Sequence, residues 1–261
     1  DDPQDYWKNI ASNAPQLWIW MGDNIYGDTE DMALLQSKYD RQKMDSHYNS
    51  FIEKVPVIGT WDDHDYGVND GNKLYPAKEE SKKLMLEFLD VSPDNEVWSR
   101  PGVYQSYTIG KKNKVKIILL DTRSFQDELK DNPTRDSRYI MSEGDILGEA
   151  QWGWLEDELL SSDAAVNIIV SSIQFLASDH KYEKWANFPY AKKRMFDILR
   201  AQPDKKCLFL SGDRHIAEIS KRDLRGLNYP LYDITSSGLT HSYEESREYN
   251  SHRLGQLITR R

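Results

Sequence analysis

The sequence predicts an α/β fold, a sandwich of β-sheets flanked by helices, from three observations. Short apolar runs end in polar clusters, helical patterns fall between the runs, and neither a repeat nor a Gly/Ser/Pro linker divides the chain. Residues 1–261 are therefore expected to form one domain. In order, the runs are Leu17–Met21 before Gly22-Asp23-Asn24, and Val55–Trp61 before Asp62-Asp63-His64-Asp65. Val115–Leu120 follows before Asp121-Thr122-Arg123, and Val166–Val170 before Ser171-Ser172. The last is Cys207–Leu210 before Ser211-Gly212-Asp213-Arg214-His215. Runs this continuous suit strands covered on both faces. Val103–Ile109 and Tyr229–Thr235 alternate more and are expected nearer a sheet edge.

Helices are expected over Ala77–Leu89, with its lysines and glutamates facing water, and over Tyr190–Leu199. A third spans Ala150–Leu160, where Trp152, Leu155 and Leu159 form one apolar stripe. Thr122–Ile146, polar and carrying Arg123, Arg135 and Arg138, shows no periodicity and is longer than a plain connector. Ser178–Pro189, with His180, Trp185 and Phe188, is a second expected rim segment. In an open α/β sheet, a site is expected where these runs end.

Composition narrows the function. The chain is 38% hydrophobic and 11% aromatic, enough to bury a sizeable core, which excludes a disordered or low-complexity protein. A net charge of −9 disfavours nonspecific binding to nucleic acid or to an acidic membrane. Cys207 is the lone cysteine, so no intrachain disulfide or Cys-rich zinc module forms, and it is expected to be a buried core thiol. No apolar run is long enough to cross a bilayer, and no signal peptide or lipidation pattern stands at Asp1–Asp5. Gly-rich phosphate loops, the Gly-x-Ser-x-Gly elbow and the dinucleotide fingerprint are also absent.

Three clusters carry chemistry. In Gly22–Asp28, Asp23 leaves a buried strand and Tyr26 follows a short bend, so a carboxylate and a phenol can share a cation; a plain turn is the alternative. Asp62, Asp63, His64 and Asp65 crowd three carboxylates and an imidazole at a strand end. Like charges there repel unless a cation or hydrogen bonds compensate, whereas an exposed acidic turn would need neither. Asp213 and His215, two apart after another strand, can face the same cavity. Together they make an acid-rich, His-poor ligand set that matches a mixed oxygen/nitrogen dinuclear site. Thr235-Ser236-Ser237-Gly238 reads as a hydroxyl-stabilised turn, followed by His241 at the surface or the site mouth. Asp121-Thr122 reads as a buttress behind the site.

These motifs resemble the alkaline phosphatase D (PhoD-like) family, itself similar to purple acid phosphatases and the calcineurin-like superfamily. The resemblance rests on GDNIYGD at 22–28, TWDDHDYG at 60–67, LDTRS at 120–124, SSIQ at 171–174, SGDRHIAEI at 211–219 and TSSGL at 235–239. It implies a metallophosphoesterase-type sandwich of mixed β-sheets flanked by helices. It also implies an enzyme that hydrolyses phosphate esters, as phosphomonoesterase, phosphodiesterase or both, through a metal-bound hydroxide. In that pattern Asp23 bridges two ions. Tyr26 and His215 hold Fe³⁺, and Asp63 and Asp213 hold Ca²⁺ (or Mg²⁺, Mn²⁺ or Zn²⁺). His64 meets the phosphate or protonates the leaving oxygen. Arg214 and Arg123 are candidates to grip non-bridging oxygens, Arg123 alternatively forming a salt bridge to a carboxylate such as Asp65. The expected substrate is a small phosphate ester or a phospholipid-type head group, and the expected location is secreted or periplasmic.

Against the family pattern, the chain starts past an opening strand that ends in a metal-binding Cys or Asp. It also stops near Leu254–Arg261, before the closing strands, so it is expected to be trimmed at both ends. Gln174 is the nearest polar residue to the family's penultimate-strand histidine. A catalytically impaired metal-binding or interaction domain is the alternative reading.

Overall fold

The structure, a computed structural model, describes residues 4–134, 137–242 and 248–255. Arg135 and residues 256–261 of the closing segment lie outside the described residues. Strands β1 (Trp18–Met21) and β2 (Val57–Thr60) pair in parallel. The larger sheet comprises β3 (Gln105–Ile109), β4 (Val115–Leu119), β7 (Val166–Ser171), β8 (Cys207–Ser211), β9 (Ala217–Arg222) and β10 (Leu231–Ser236), in the order β3-β4-β7-β8-β10-β9. Its four inner strands run parallel, and β3 and β9 run antiparallel at the two edges. Ile19, Met21 and Ile58 of the smaller sheet pack on Ile117, Leu119, Val170 and Leu210 of the larger, which makes the two layers a sandwich.

Helices cover the outside. The expected helices are present as α5 (Lys78–Phe88), α6 (Gly148–Ser161) and α7 (Pro189–Ala201). Trp152, Leu155 and Leu159 of α6 are buried with Phe175, Trp185 and Phe209 against one face of the larger sheet. Around the smaller sheet, α1 (Tyr6–Ser12), α2 (Met32–Met44), α3 (Ser46–Ile52) and α5 enclose an aromatic core of Trp7, Trp20, Tyr48, Phe51 and Phe88. One turn of helix, α4 (Asp63–Tyr66), follows β2.

The structure refines the sequence reading at four points. Tyr229–Thr235 falls in β10, one strand in from the edge as its alternation suggests, and β9, which the sequence pattern hides, takes the edge itself. The segment Thr122–Ile146 contains a small hairpin, β5 (Lys130–Asp131) with β6 (Tyr139–Ile140). The lysines of α5 do not all face water: Lys82 is buried, its Nζ donating to the carbonyls of Arg100 and, at 3.3 Å, Trp98. Helices α1 to α4 have no counterpart in the sequence reading. Cys207 is buried as expected, and burial pushes its thiol up to about 12.

Candidate metal centre

The loops after β1, β2 and β8 meet at the carboxyl ends of their strands. Gly22 makes this possible: its φ is +100°, and a Cβ there would sit 2.4 Å from the Asp62 Cβ. The Asp65 carboxylate ties the first two loops, accepting from the backbone N of Asp62 (2.7 Å), Asp23 (3.3 Å) and Asn24 (3.3 Å). Gly212 brings in the third loop, donating its N–H to the Ser172 carbonyl at 2.9 Å. Asp121, expected as a buttress, accepts from Trp61 Nε1 at 2.9 Å and from the backbone of Val103, Arg123 and Ser124, pinning its own loop to β2.

Asp23, Asp213 and His215 adopt positive φ values of 51°, 63° and 53°. A non-glycine residue in this region costs about 1–3 kcal/mol and persists where surrounding structure enforces it. For His215 the enforcing contact is its own N–H, which donates to Ser237 Oγ (3.1 Å) from the turn after β10. The fold thus holds unfavourable backbone at three of the residues the sequence marks as ligands.

One oxygen each from Asp23 and Asp63 and one ring nitrogen of His64 lie within 4.8 Å of one another. Asp23 Oδ1, Asp63 Oδ1 and Asp213 Oδ2 are buried and accept no hydrogen bond from the described residues. Their nearest cations stand off, Arg214 Nη1 at 3.8 Å from Asp213 and Arg123 Nη2 at 4.0 Å from Asp63. Buried polar atoms are seldom left unpartnered, and carboxylate oxygens left so by Asp23 and Asp63, within 4.8 Å of each other and of a His64 ring nitrogen, fit a bound cation. Beside them Tyr26 Oη is 2.8 Å from His215 Nε2, and the Tyr26 ring meets those of His64 (4.5 Å between centroids) and His241 (4.6 Å) at tilted angles. His241 is thus exposed and also at the site's mouth. Carboxylates suit hard cations, and the phenol–imidazole pair adds borderline donors.

Electrostatics agree with that fit. Burial first, then repulsion from Asp62, Asp63, Asp65 and Asp213, raises the Asp23 carboxyl well above its usual range. Burial also pushes Asp62 and Asp213 up to about 7 and Asp65 to about 8. Burial raises Asp63 too, but the charges of Arg123 and His64 and backbone hydrogen bonds outweigh it and hold this carboxyl low. Burial lowers His64, yet Asp63 and Asp28 reverse this and leave it above its ordinary value. His215, desolvated and beside His241 and Arg214, drops to about 4 and stays neutral, the form a ligand needs.

The structure groups Asp23, Asp63 and His64 within 4.8 Å; Asp213 and His215 lie outside that group, Asp213 acting on Asp23 and Tyr26 through its charge and His215 meeting Tyr26 Oη at 2.8 Å. Arg214 is buried next to Asp213, its guanidinium 3.9 Å over the Tyr182 ring and paired with Glu248. Arg123 does not fit the expected grip on substrate oxygens. It is 0% exposed, with its guanidinium spent on Asp62 and on Glu183, at 2.8 Å, rather than on Asp65. Gln174 points its amide nitrogen at Glu218 and Thr235, donating at 2.7 Å each, and its Oε1 is buried with no hydrogen-bond partner among the described residues. Two residues escaped the sequence reading. Asp28 lies 2.5 Å from His64 Nδ1, and Glu183 anchors Arg123. The second Asp of GDNIYGD was the available signal for Asp28.

The architecture is a mixed α/β sandwich with an acid-rich site at its strand ends. The chain belongs to the PhoD-like phosphatase family, whose model matches residues 4–234. It is 23% identical to alkaline phosphatase D of Bacillus subtilis (strain 168) over 290 aligned residues, covering 89% of this chain and 48% of that protein. A solved structure of PhoD superposes with a TM-score of 0.75 at 18% identity, covering 91% of this chain and 54% of that one. The chain spans about half the length of the curated relative it matches. Among the described residues no helix is long and apolar enough to cross a membrane.

Proposed function

We propose that the chain hydrolyses small phosphate esters, monoesters or diesters, with phospholipid head groups in the same substrate class. The observation that carries this reading is the set of three buried, unpartnered carboxylate oxygens from Asp23, Asp63 and Asp213, supplied by three strand-end loops of a PhoD-like fold. Tyr26 and His215 would hold Fe³⁺, and Asp63 and Asp213 Ca²⁺ (or Mg²⁺, Mn²⁺ or Zn²⁺), with Asp23 shared between the two. Cations held there neutralise charge on the phosphoryl group and lower the pKa of a bound water. Secretion is part of the proposal and rests on the family resemblance.

The chain's own residues supply positioning and proton transfer. Asp28, 2.5 Å from His64 Nδ1, fixes the ring and leaves Nε2 to give a proton to the departing ester oxygen as its bond to phosphorus breaks. A raised His64 pKa favours the protonated donor at neutral pH. Arg214, stacked on Tyr182, paired with Glu248 and 3.8 Å from Asp213, would be the fork that meets non-bridging oxygens. In the test, metal-replete protein cleaves an aryl phosphate and loses this activity to a chelator. Metal-replete protein that shows no chelator-sensitive cleavage of mono- or diesters sinks the catalytic reading. If Tyr26 binds ferric iron, the protein carries a visible phenolate-to-iron absorption band, and Tyr26→Phe abolishes it while protein fold, read by circular dichroism, is kept.

A further inference from the structure

Arg123 is a cation the fold buries behind the Asp62–Asp63 loop, and its position relative to Asp62 and Glu183 decides what Asp63 can do. Its Nε donates to Asp62 Oδ1 at 2.5 Å, and Asp62 Oδ1 also accepts from Ser172 Oγ at 2.7 Å. Nη1 faces the Gly71 carbonyl and Gln126 Oε1 at 3.5 Å each. Nη2, shared with Asp62, has two further carboxylates to choose between. Glu183 Oε2 is at 2.8 Å, and Asp63 Oδ1, one of the unpartnered oxygens, is at 4.0 Å. Glu183 is itself held by the amide of Gln126, so its carboxylate is fixed rather than free to drift.

A guanidinium in contact with Asp63 Oδ1 would hold that oxygen as a cation does and would compete with any ion for it. With Asp62 already engaged, what draws Nη2 away is Glu183, which comes from the 178–189 rim segment. We infer that Glu183 is a positioning residue that keeps Arg123 off the Asp63 ligand oxygen, so that the second cation site exists because Arg123 has a rival partner. The inference rests on the metal-site reading above. It gives the 178–189 segment a task that neither substrate contact nor packing requires, and it makes Arg123 a latent competitor rather than a substrate clamp.

The two ideas separate in a double-mutant cycle read by isothermal titration of Ca²⁺ into chelator-stripped protein, with fold checked by circular dichroism. Glu183→Gln releases Nη2 to Asp63 and is expected to weaken Ca²⁺ binding about 10–100-fold, the range for residues that orient metal ligands. Glu183→Gln/Arg123→Gln removes the competitor as well and is expected to recover binding to within a few-fold of the parent. A merely structural role predicts the reverse, a double variant no better than the single. Unchanged Ca²⁺ binding in Glu183→Gln, or no recovery in the double variant, overturns the inference. A parent that binds no Ca²⁺ instead defeats the metal-site reading on which it rests. Should Glu183→Gln fail to fold, Glu183→Asp, with its shorter reach toward Nη2, is expected to show an intermediate weakening, and parental affinity there counts against the idea.

Discussion

Asp23→Asn is expected to do two opposite things: abolish turnover and stabilise the metal-free chain. The Asp23 carboxyl is crowded by Asp62, Asp63, Asp65 and Asp213, and its buried Oδ1 has no partner among the described residues. An amide of the same shape removes that repulsion, so chelator-treated variant should melt above chelator-treated parent. The same change removes the ligand that both cations would share, and aryl phosphate hydrolysis should fall by about three orders of magnitude, several kcal/mol of transition-state stabilisation. A stability–activity trade of this kind marks a site built for a bound ion rather than for its own packing. If the variant is both less stable without metal and equally active with it, Asp23 is only a turn residue.

The fall of stability with rising pH should steepen when metal is removed. In the folded, metal-free chain Asp62 and Asp213 titrate near 7 and Asp65 near 8, against 3.8 for the unfolded carboxyl. Each folded group therefore keeps a proton that the unfolded chain has already released. Their stabilising contribution is complete below pH 3.8 and is lost as pH rises through about 7 to 8. Asp63, held low, acts in the other direction but is a single group against these three and Asp23, which is also raised. Melting temperatures in chelator should drop steeply between pH 5 and pH 8, by on the order of several kcal/mol of stability. Saturating divalent cation should flatten the curve, its benefit being largest at pH 8, where the carboxylates are free of protons. A metal-free curve that rises with pH over this window contradicts the electrostatic description of the site.

What the sequence shows and what it hides follow from where each side chain's partners are. The strands β1, β2, β4, β7 and β8 are legible because burial between layers demands unbroken apolar runs, and the acid clusters are legible because they follow those runs directly. Strand β9 is not, because its pattern is inverted. Glu218 and Ser220 face inward, bonded to Asn250, while Ile219 is 42% exposed. Helix α2 buries only Leu35, Tyr39 and Gln42, too few for a clear stripe, although Asp31 accepting from the N–H groups of Ala33 and Leu34 is a cap that composition alone underweights. At the site, Asp23, Tyr26, Asp63, Asp213 and His215 were legible as a set of acids, a phenol and a histidine at strand ends. Asp28 and Glu183 were not, since their roles exist only opposite His64 and Arg123, which are distant in the chain. Arg123 shows the limit most plainly. The sequence leaves open a grip on substrate and a salt bridge to a carboxylate such as Asp65, and the fold selects the salt bridge but gives it to Asp62 and Glu183.

The account stands on one proposition, that Asp23, Asp63, Asp213 and His215 surround a common cationic centre. Elemental analysis of the purified chain beside Asp23→Asn, after both have been stripped, reloaded with Fe³⁺ and Ca²⁺ and exhaustively dialysed, tests it most directly. The account predicts about two retained ions per parent chain, as for a paired-cation site, and at most one in the variant. A parent that retains no ion, or a variant that retains as many as the parent, contradicts it.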